Sequence, residues 1–254
     1  MLRPILTLIS ILAAFAVNVI ANIAPPAGRT IGEISNTLFS EVQITPASYA
    51  FAIWGLIYLG LISFGIYQAL PAQQNNPRLQ RMDYWIVIAS LAQIAWVYLF
   101  QFGLFILSLV AMIVILVSLM RVYLQLRIGV QRVSRKEKWL VDIPLSIYLA
   151  WISIATILNV ALTLYDFNWN GGPISPEIWT AIMLLVATGI TGVLIFQRRD
   201  IAFPLVVVWA FVAIAIRHLN TLIIAAPAFG FAIAILLLLL YKNLSPRQAN
   251  PPLT

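Results

Sequence analysis

Three stretches of the chain set hydrogen-bonding side chains among aromatic ones at helical spacing. In "IYLAWISIATILN", Tyr148, Trp151, Ala155 and Asn159 are separated by three, four and four positions, so on a helix they share one face. In "FAIWGLIY", Phe51, Trp54 or Gly55, and Tyr58 align in the same way. In "QIAWVYLF", so do Gln93, Trp96 and Phe100. A face of this kind offers flat apolar area for stacking and an amide or phenol to orient a polar substituent. That chemistry is non-covalent binding of a flat, largely apolar molecule. The same stripes also suit contact between helices, with the amides bonded across it, and on spacing alone packing is the simpler account.

Covalent and acid–base chemistry has little to work with. The chain has no Cys and one His, which removes disulfides, thiolate ligands and any cluster of histidines. No triad, carboxylate pair or glycine-rich phosphate loop is recognisable, so an enzyme is not expected. Asp142, at the start of the apolar run that carries Tyr148, reads as a favourable charge at a helix N-terminus rather than a proton relay. The lone His218, in "IRHLNT" beside Arg217, reads as an interfacial residue meeting water or a carbonyl. Axial ligation of a tetrapyrrole metal is its functional alternative, and no other metal ligand is expected.

The elements that must position these residues are apolar throughout. Of 254 residues, 62% are hydrophobic and 9% charged, against roughly 25% charged in soluble domains, and the mean hydropathy is +0.98. These values call for an all-α integral membrane protein. Eight apolar segments can be marked, at Ile5–Ile23, Tyr49–Leu70, Tyr84–Phe100, Leu104–Tyr123, Leu140–Tyr165, Ile178–Phe196, Ala202–Ile216 and Leu219–Tyr241. The third and seventh are short, and "QFG" between the third and fourth demands a tight hairpin. Connectors such as "APPAGRT", "LPAQQNNP" and "NWNGGPISP" carry turn residues. Arg3 ahead of a run ending in "ANIA" resembles a secretory leader, but Pro25 after that point favours a retained first helix.

A net charge of +7 suggests nucleic acid in a soluble chain. Here the basic residues lie between apolar runs, so no nucleic-acid partner is expected. With the N-terminus inside, 13 of the 15 Lys and Arg residues fall on the cytoplasmic side, and only Arg29 and Arg217 fall outside. Eight spans with both termini cytoplasmic follow from the positive-inside rule. The loop "RIGVQRVSRKEK" serves that orientation, with anionic headgroup binding as the lesser reading.

"YLAWISIATILN" resembles the fifth-helix signature of the tryptophan-rich sensory protein family, also known as TspO or translocator protein. The matching residues are Tyr148, Leu149, Ala150, Trp151, Ala155, Thr156, Leu158 and Asn159. The second-helix pattern of that family, a Pro followed by a Trp-Gly pair and a Tyr, is matched by Pro46, Trp54, Gly55 and Tyr58. Gln93 and Trp96 stand where its third helix has an Asn and a Trp. The cholesterol-recognition pattern is missing, since Tyr165 is followed by Asp166, Phe167 and Asn168.

The resemblance implies a five-helix bundle over residues 1–169, with residues 170–254 adding about three transmembrane helices and a short tail. It also implies binding, sensing or transfer of a porphyrin or other tetrapyrrole, at Trp54, Tyr58, Gln93, Trp96, Tyr148, Trp151, Ala155 and Asn159. The other readings are an assembly subunit of a larger membrane complex, with or without pigment, and a transporter of a small lipophilic solute. The partners expected are the bilayer and a lipophilic small molecule, with a homodimer or larger complex left open.

Overall fold

The computed structural model describes residues 2–244, and every regular element among them is helical. The short tail expected after the last helix lies outside the described residues. Eight long helices follow one another: α1 (Leu2–Ile23), α2 (Ile53–Ala69), α3 (Trp85–Gln101), α4 (Phe105–Gln125), α5 (Ile143–Asp166), α6 (Pro176–Gln197), α7 (Ala202–Arg217) and α8 (Leu222–Leu244). Six stretches are long and apolar enough to cross a membrane. The exceptions are α3 and α7, of 17 and 16 residues. At a rise of ~1.5 Å per residue each covers about 25 Å, less than a ~30 Å hydrocarbon core.

Local chemistry explains how the helices begin and turn. The "QFG" hairpin closes because Gly103 takes φ +75, a left-handed conformation that costs glycine nothing, while the Gly103 and Leu104 N–H groups return to Phe100 and Leu99. α6 starts at Ser175, whose hydroxyl accepts from the Ile178 N–H, with Pro176 just inside. Two segments open less regularly than the apolar pattern predicts. Ser48–Ala52 is a 3-10 turn ahead of α2. Lys138–Asp142 is a π turn ahead of α5, where Pro144 has no N–H to give back to the preceding turn.

The first five helices close a ring in which α1 packs on α2, α2 on α5, α5 on α4, α4 on α3, and α3 on α1. α7 lies against the far side of α5, and α6, α7 and α8 pack on one another. The outward face of α4 exposes Ile106, Val110, Ile113, Val117 and Met120 at helical spacing, a stripe fit for lipid tails rather than water.

The segment between α1 and α2 covers one end of the ring. Its buried Phe39 meets Phe105 edge-on at 4.9 Å and Tyr165 at 5.8 Å. The same segment reaches α7: the Ala47 N–H donates to the Ala213 carbonyl and the Trp209 indole to the Ala50 carbonyl.

For the division at residue 169, truncation after Gly172 is the direct measurement. The shortened chain is predicted to stay helical and monodisperse in detergent with a lowered melting midpoint. Lipid or detergent can replace α7 against the apolar surface of α5, but the bonds to Ala213 and Trp209 are lost. Aggregation or degradation of the product would show that the last three helices complete the fold.

Candidate binding site

Trp54 and Tyr58, one turn apart on α2, stack with ring centroids 5.7 Å apart and planes 28° from parallel. The Trp54 ring also meets Tyr148 of α5 at 6.2 Å. The Tyr58 hydroxyl donates to the Ala14 carbonyl of α1 at 3.2 Å, and the Tyr148 hydroxyl donates to Gln93 Oε1 of α3 at 3.4 Å. Further along, Trp96 Nε1 donates to Asn159 Oδ1 at 2.9 Å, and Asn159 Nδ2 donates to the Ser108 hydroxyl of α4 at 3.2 Å. Trp151 stands edge-on to Phe51 at 6.0 Å. Ala155, half-buried, lies between Trp151 and Asn159 along α5. The three stripes of the sequence therefore converge from α2, α3 and α5. The polar end of "IATILN" has a partner in each of two neighbouring helices.

Two donors within this set have no partner. Gln93 Nε2 and Trp151 Nε1 are both buried and unbonded, and each such group in hydrocarbon costs several kcal/mol. Neither residue lines the open space of the site. A cleft of about 590 Å³ runs between the second half of α1, the short helix Ile31–Thr37 and the start of α2. That volume falls in the range of small-molecule sites, roughly 300–1,000 Å³. Of the eight predicted residues, Trp54 alone lines it. The short helix is fixed there by a capping box, in which the Glu33 N–H donates to Thr30 Oγ1 and the Thr30 N–H to Glu33 Oε2.

The structure also assembles polar groups that the sequence did not mark. Asn18 and Asn22 of α1 face the cleft, and their i,i+4 spacing was the one available signal. At the opposite end of the ring, Arg78 is only 5% exposed. Its guanidinium pairs with Asp142 at 2.6 Å and Glu137 at 2.7 Å, and donates twice to the Leu126 carbonyl at the end of α4. Asp142 is thus the partner of a buried arginine, not merely a helix-start charge. Arg78 is likewise more than an orienting loop residue. Asp200, 8% exposed, accepts from the hydroxyls of Tyr123 and Ser146, so carboxylates do sit inside the packed helices. No sequence signal links these positions, which lie 54 to 77 residues apart.

His218 follows α7, away from the aromatic set. Burial lowers its pKa, the neighbouring Arg217 charge adds to this, and a bond with the Gln43 backbone opposes it. Its Nε2 is buried without a partner. No hydrogen bond or ring contact ties it to the Trp54–Asn159 set, and no cluster of three or more metal-ligating side chains occurs among the described residues.

The ring of helices with aromatic stripes turned inward has a counterpart among known families. A family described as TSPO-like protein matches residues 4–241. The chain belongs to the TSPO-like family. The match runs from α1 almost to the end of α8, further than the fifth-helix resemblance, which stops near Trp169. No curated protein matches the chain, and no solved structure does. This TSPO-like protein is an integral, multi-pass membrane protein whose setting is the lipid bilayer.

Proposed function

We propose that this TSPO-like protein binds a flat lipophilic ligand of the porphyrin type within the membrane, for sensing or transfer rather than catalysis. One observation carries the reading: Trp54 forms the wall between the 590 Å³ cleft and the buried aromatic set. A flat ring entering from the cleft would stack on the Trp54 indole, with the unpaired Gln93 and Trp151 donors in the set behind it. The competing reading, an assembly subunit, draws on Trp96 and Asn159, which satisfy each other without a ligand.

Quenching of tryptophan fluorescence by protoporphyrin separates the two. A lost stacking partner removes roughly 0.5–1.5 kcal/mol beyond area burial, so Trp54→Leu is predicted to weaken binding several-fold. Trp151→Leu and Trp96→Leu are expected to follow with smaller losses, because neither residue lines the cleft. Unchanged affinity in all three folded variants would leave packing as the whole explanation of the stripes.

The proposal includes eight crossings, with both termini and the 127–138 loop on the cytoplasmic side. The bonds of Arg3 to Leu79, Arg78 to Leu126 and Arg198 to Ile128 gather three basic residues at one end of the bundle, as alternating crossings require. Cysteines introduced at Ser134 and Ser175 are predicted to label from opposite sides in sealed vesicles. Labelling of both from one side would reject this topology.

A further inference from the structure

At one end of the bundle the α4–α5 connection and the α6–α7 turn are tied together. The Arg199 N–H donates to the Gly129 carbonyl at 2.7 Å, and the Arg198 guanidinium donates to the Ile128 carbonyl at 2.8 Å. Six basic side chains of these two segments are exposed, namely Arg127, Arg132, Arg135, Lys136, Lys138 and Arg199. None of the six makes an ion pair or hydrogen bond through its side chain among the described residues. The carboxylates of the same segments are withdrawn. Glu137 and Asp142 turn to Arg78, and Asp200 accepts from Tyr123, Ser146 and the Ala202 N–H. Asp83 is the one exposed carboxylate at this end among the described residues; it lies two positions from the exposed Arg81, and its charge acts on Arg3. Arg121 and Lys242, near the ends of α4 and α8, add to the positive sign. The other acidic residues, Glu33, Glu41, Asp166 and Glu177, belong to the opposite end.

Along the chain the signs are mixed, since Glu137 stands between Lys136 and Lys138 and Asp200 follows Arg199. Folding takes both carboxylates out of the surface and leaves a face of one sign. Trp139 gives this face a second property. It is 60% exposed, and it lies between Lys138 and the buried Val141 at the entrance to α5. An indole where a basic loop meets an apolar helix stands at headgroup level, its ring against acyl carbons and its N–H toward water. A soluble acidic partner would match the charges and leave the indole uncovered, whereas a phospholipid matches both. Each basic residue near an anionic lipid surface strengthens the attraction by roughly fivefold. We infer that this face binds anionic phospholipid, with headgroup phosphates on the six cations and acyl carbons against Trp139. Neither the cleft nor its ligand takes part.

The test reconstitutes the full-length protein at low salt in phosphatidylcholine vesicles that carry a minor fraction of acyl-brominated lipid, either phosphatidylglycerol or phosphatidylcholine. Subtracting the emission of Trp139→Phe from that of the wild type isolates the quenching of Trp139. Brominated phosphatidylglycerol is expected to quench Trp139 at roughly one-fifth the mole fraction that brominated phosphatidylcholine needs. That gap is expected to close in about 1 M KCl, where the screening length falls to about 3 Å. The combined variant Arg132→Gln, Arg135→Gln, Lys136→Gln and Lys138→Gln is expected to close it at low salt. Both leaflets hold the same lipids, so an inverted chain reports the same preference and the orientation proposed above is not at stake. Should the combined variant fail to reconstitute, the salt response of the wild type decides. Equal quenching by the two lipids at low salt, or a preference that survives high salt or the four substitutions, would overturn the inference. So would loss of the preference on adding polyglutamate or an oligonucleotide in about 0.15 M KCl, which would assign the face to a soluble acidic partner.

Discussion

Replacing Arg78 with Met is expected to lower the melting midpoint of the solubilised protein by on the order of 10 °C. Arg78 is buried where the α2–α3 and α4–α5 connections meet; there it neutralises Asp142 and Glu137 and closes the carbonyl end of α4 through Leu126. Met fills similar space without charge, so the variant leaves two carboxylates and a helix-end carbonyl with no cation. Removing one partner from a buried ion pair costs about 3–5 kcal/mol, because the remaining charge stays dry and uncompensated. The control is the triple variant with Asp142→Asn and Glu137→Gln, which removes the stranded charges and is expected to recover much of the loss. The readout is thermal unfolding followed by circular dichroism. A single variant that melts with the wild type would show that the buried pair is not formed.

Asp200→Ala is expected to loosen the attachment of the last three helices to the ring. The Asp200 carboxylate accepts from Tyr123 of α4 at 2.8 Å and from Ser146 of α5, and it also receives the Ala202 N–H at the start of α7 at 2.9 Å. Alanine strands two hydroxyls and a helix-start N–H in a dry site, at roughly 1–3 kcal/mol for each unsatisfied group. Together these losses amount to about 3 kcal/mol or more, with the midpoint falling accordingly. The neighbouring backbone docks here too, since the Arg199 N–H donates to the Gly129 carbonyl at 2.7 Å. Detachment is therefore expected to speed tryptic cleavage at Arg198 and Arg199. Asp200→Asn, which keeps an acceptor for the helix start, is expected to be milder on both counts. Cleavage and melting unchanged in the alanine variant would mean that the carboxylate does not hold the segment.

Gly129 belongs to the same junction. Its φ is +76, and any Cβ here would stand within 3.1 Å of the Arg199 and Asp200 backbone nitrogens, so there is no room for a side chain. Within a run of charged loop residues, "RIGVQR" gives no hint of this. A glycine in a basic loop reads as a turn, and the segment that approaches it lies about 70 residues further on.

The amino-acid sequence by itself determined the membrane class, the places of the eight long helices, the tight hairpin at Gly103 and the family. Each of these follows from local pattern, because hydropathy, helical period and turn residues act over one or two dozen positions. It also determined which side chains share a face, so Tyr148, Trp151, Ala155 and Asn159 form one group on any helix that carries them. Only the tertiary structure decided what those faces meet. Asn159 turned to Trp96 and Ser108, Gln93 and Trp151 kept unpaired donors, and the open space fell beside Trp54 and Asn18 instead of at the centre of the stripes. The same holds for Arg78 with Asp142, and for Asp200 with Tyr123 and Ser146. The reason is physical: helical period states which face is special, but a buried polar group accepts any partner of the right chemistry. The ring of helices, not the spacing along the chain, brings one partner rather than another within about 3 Å.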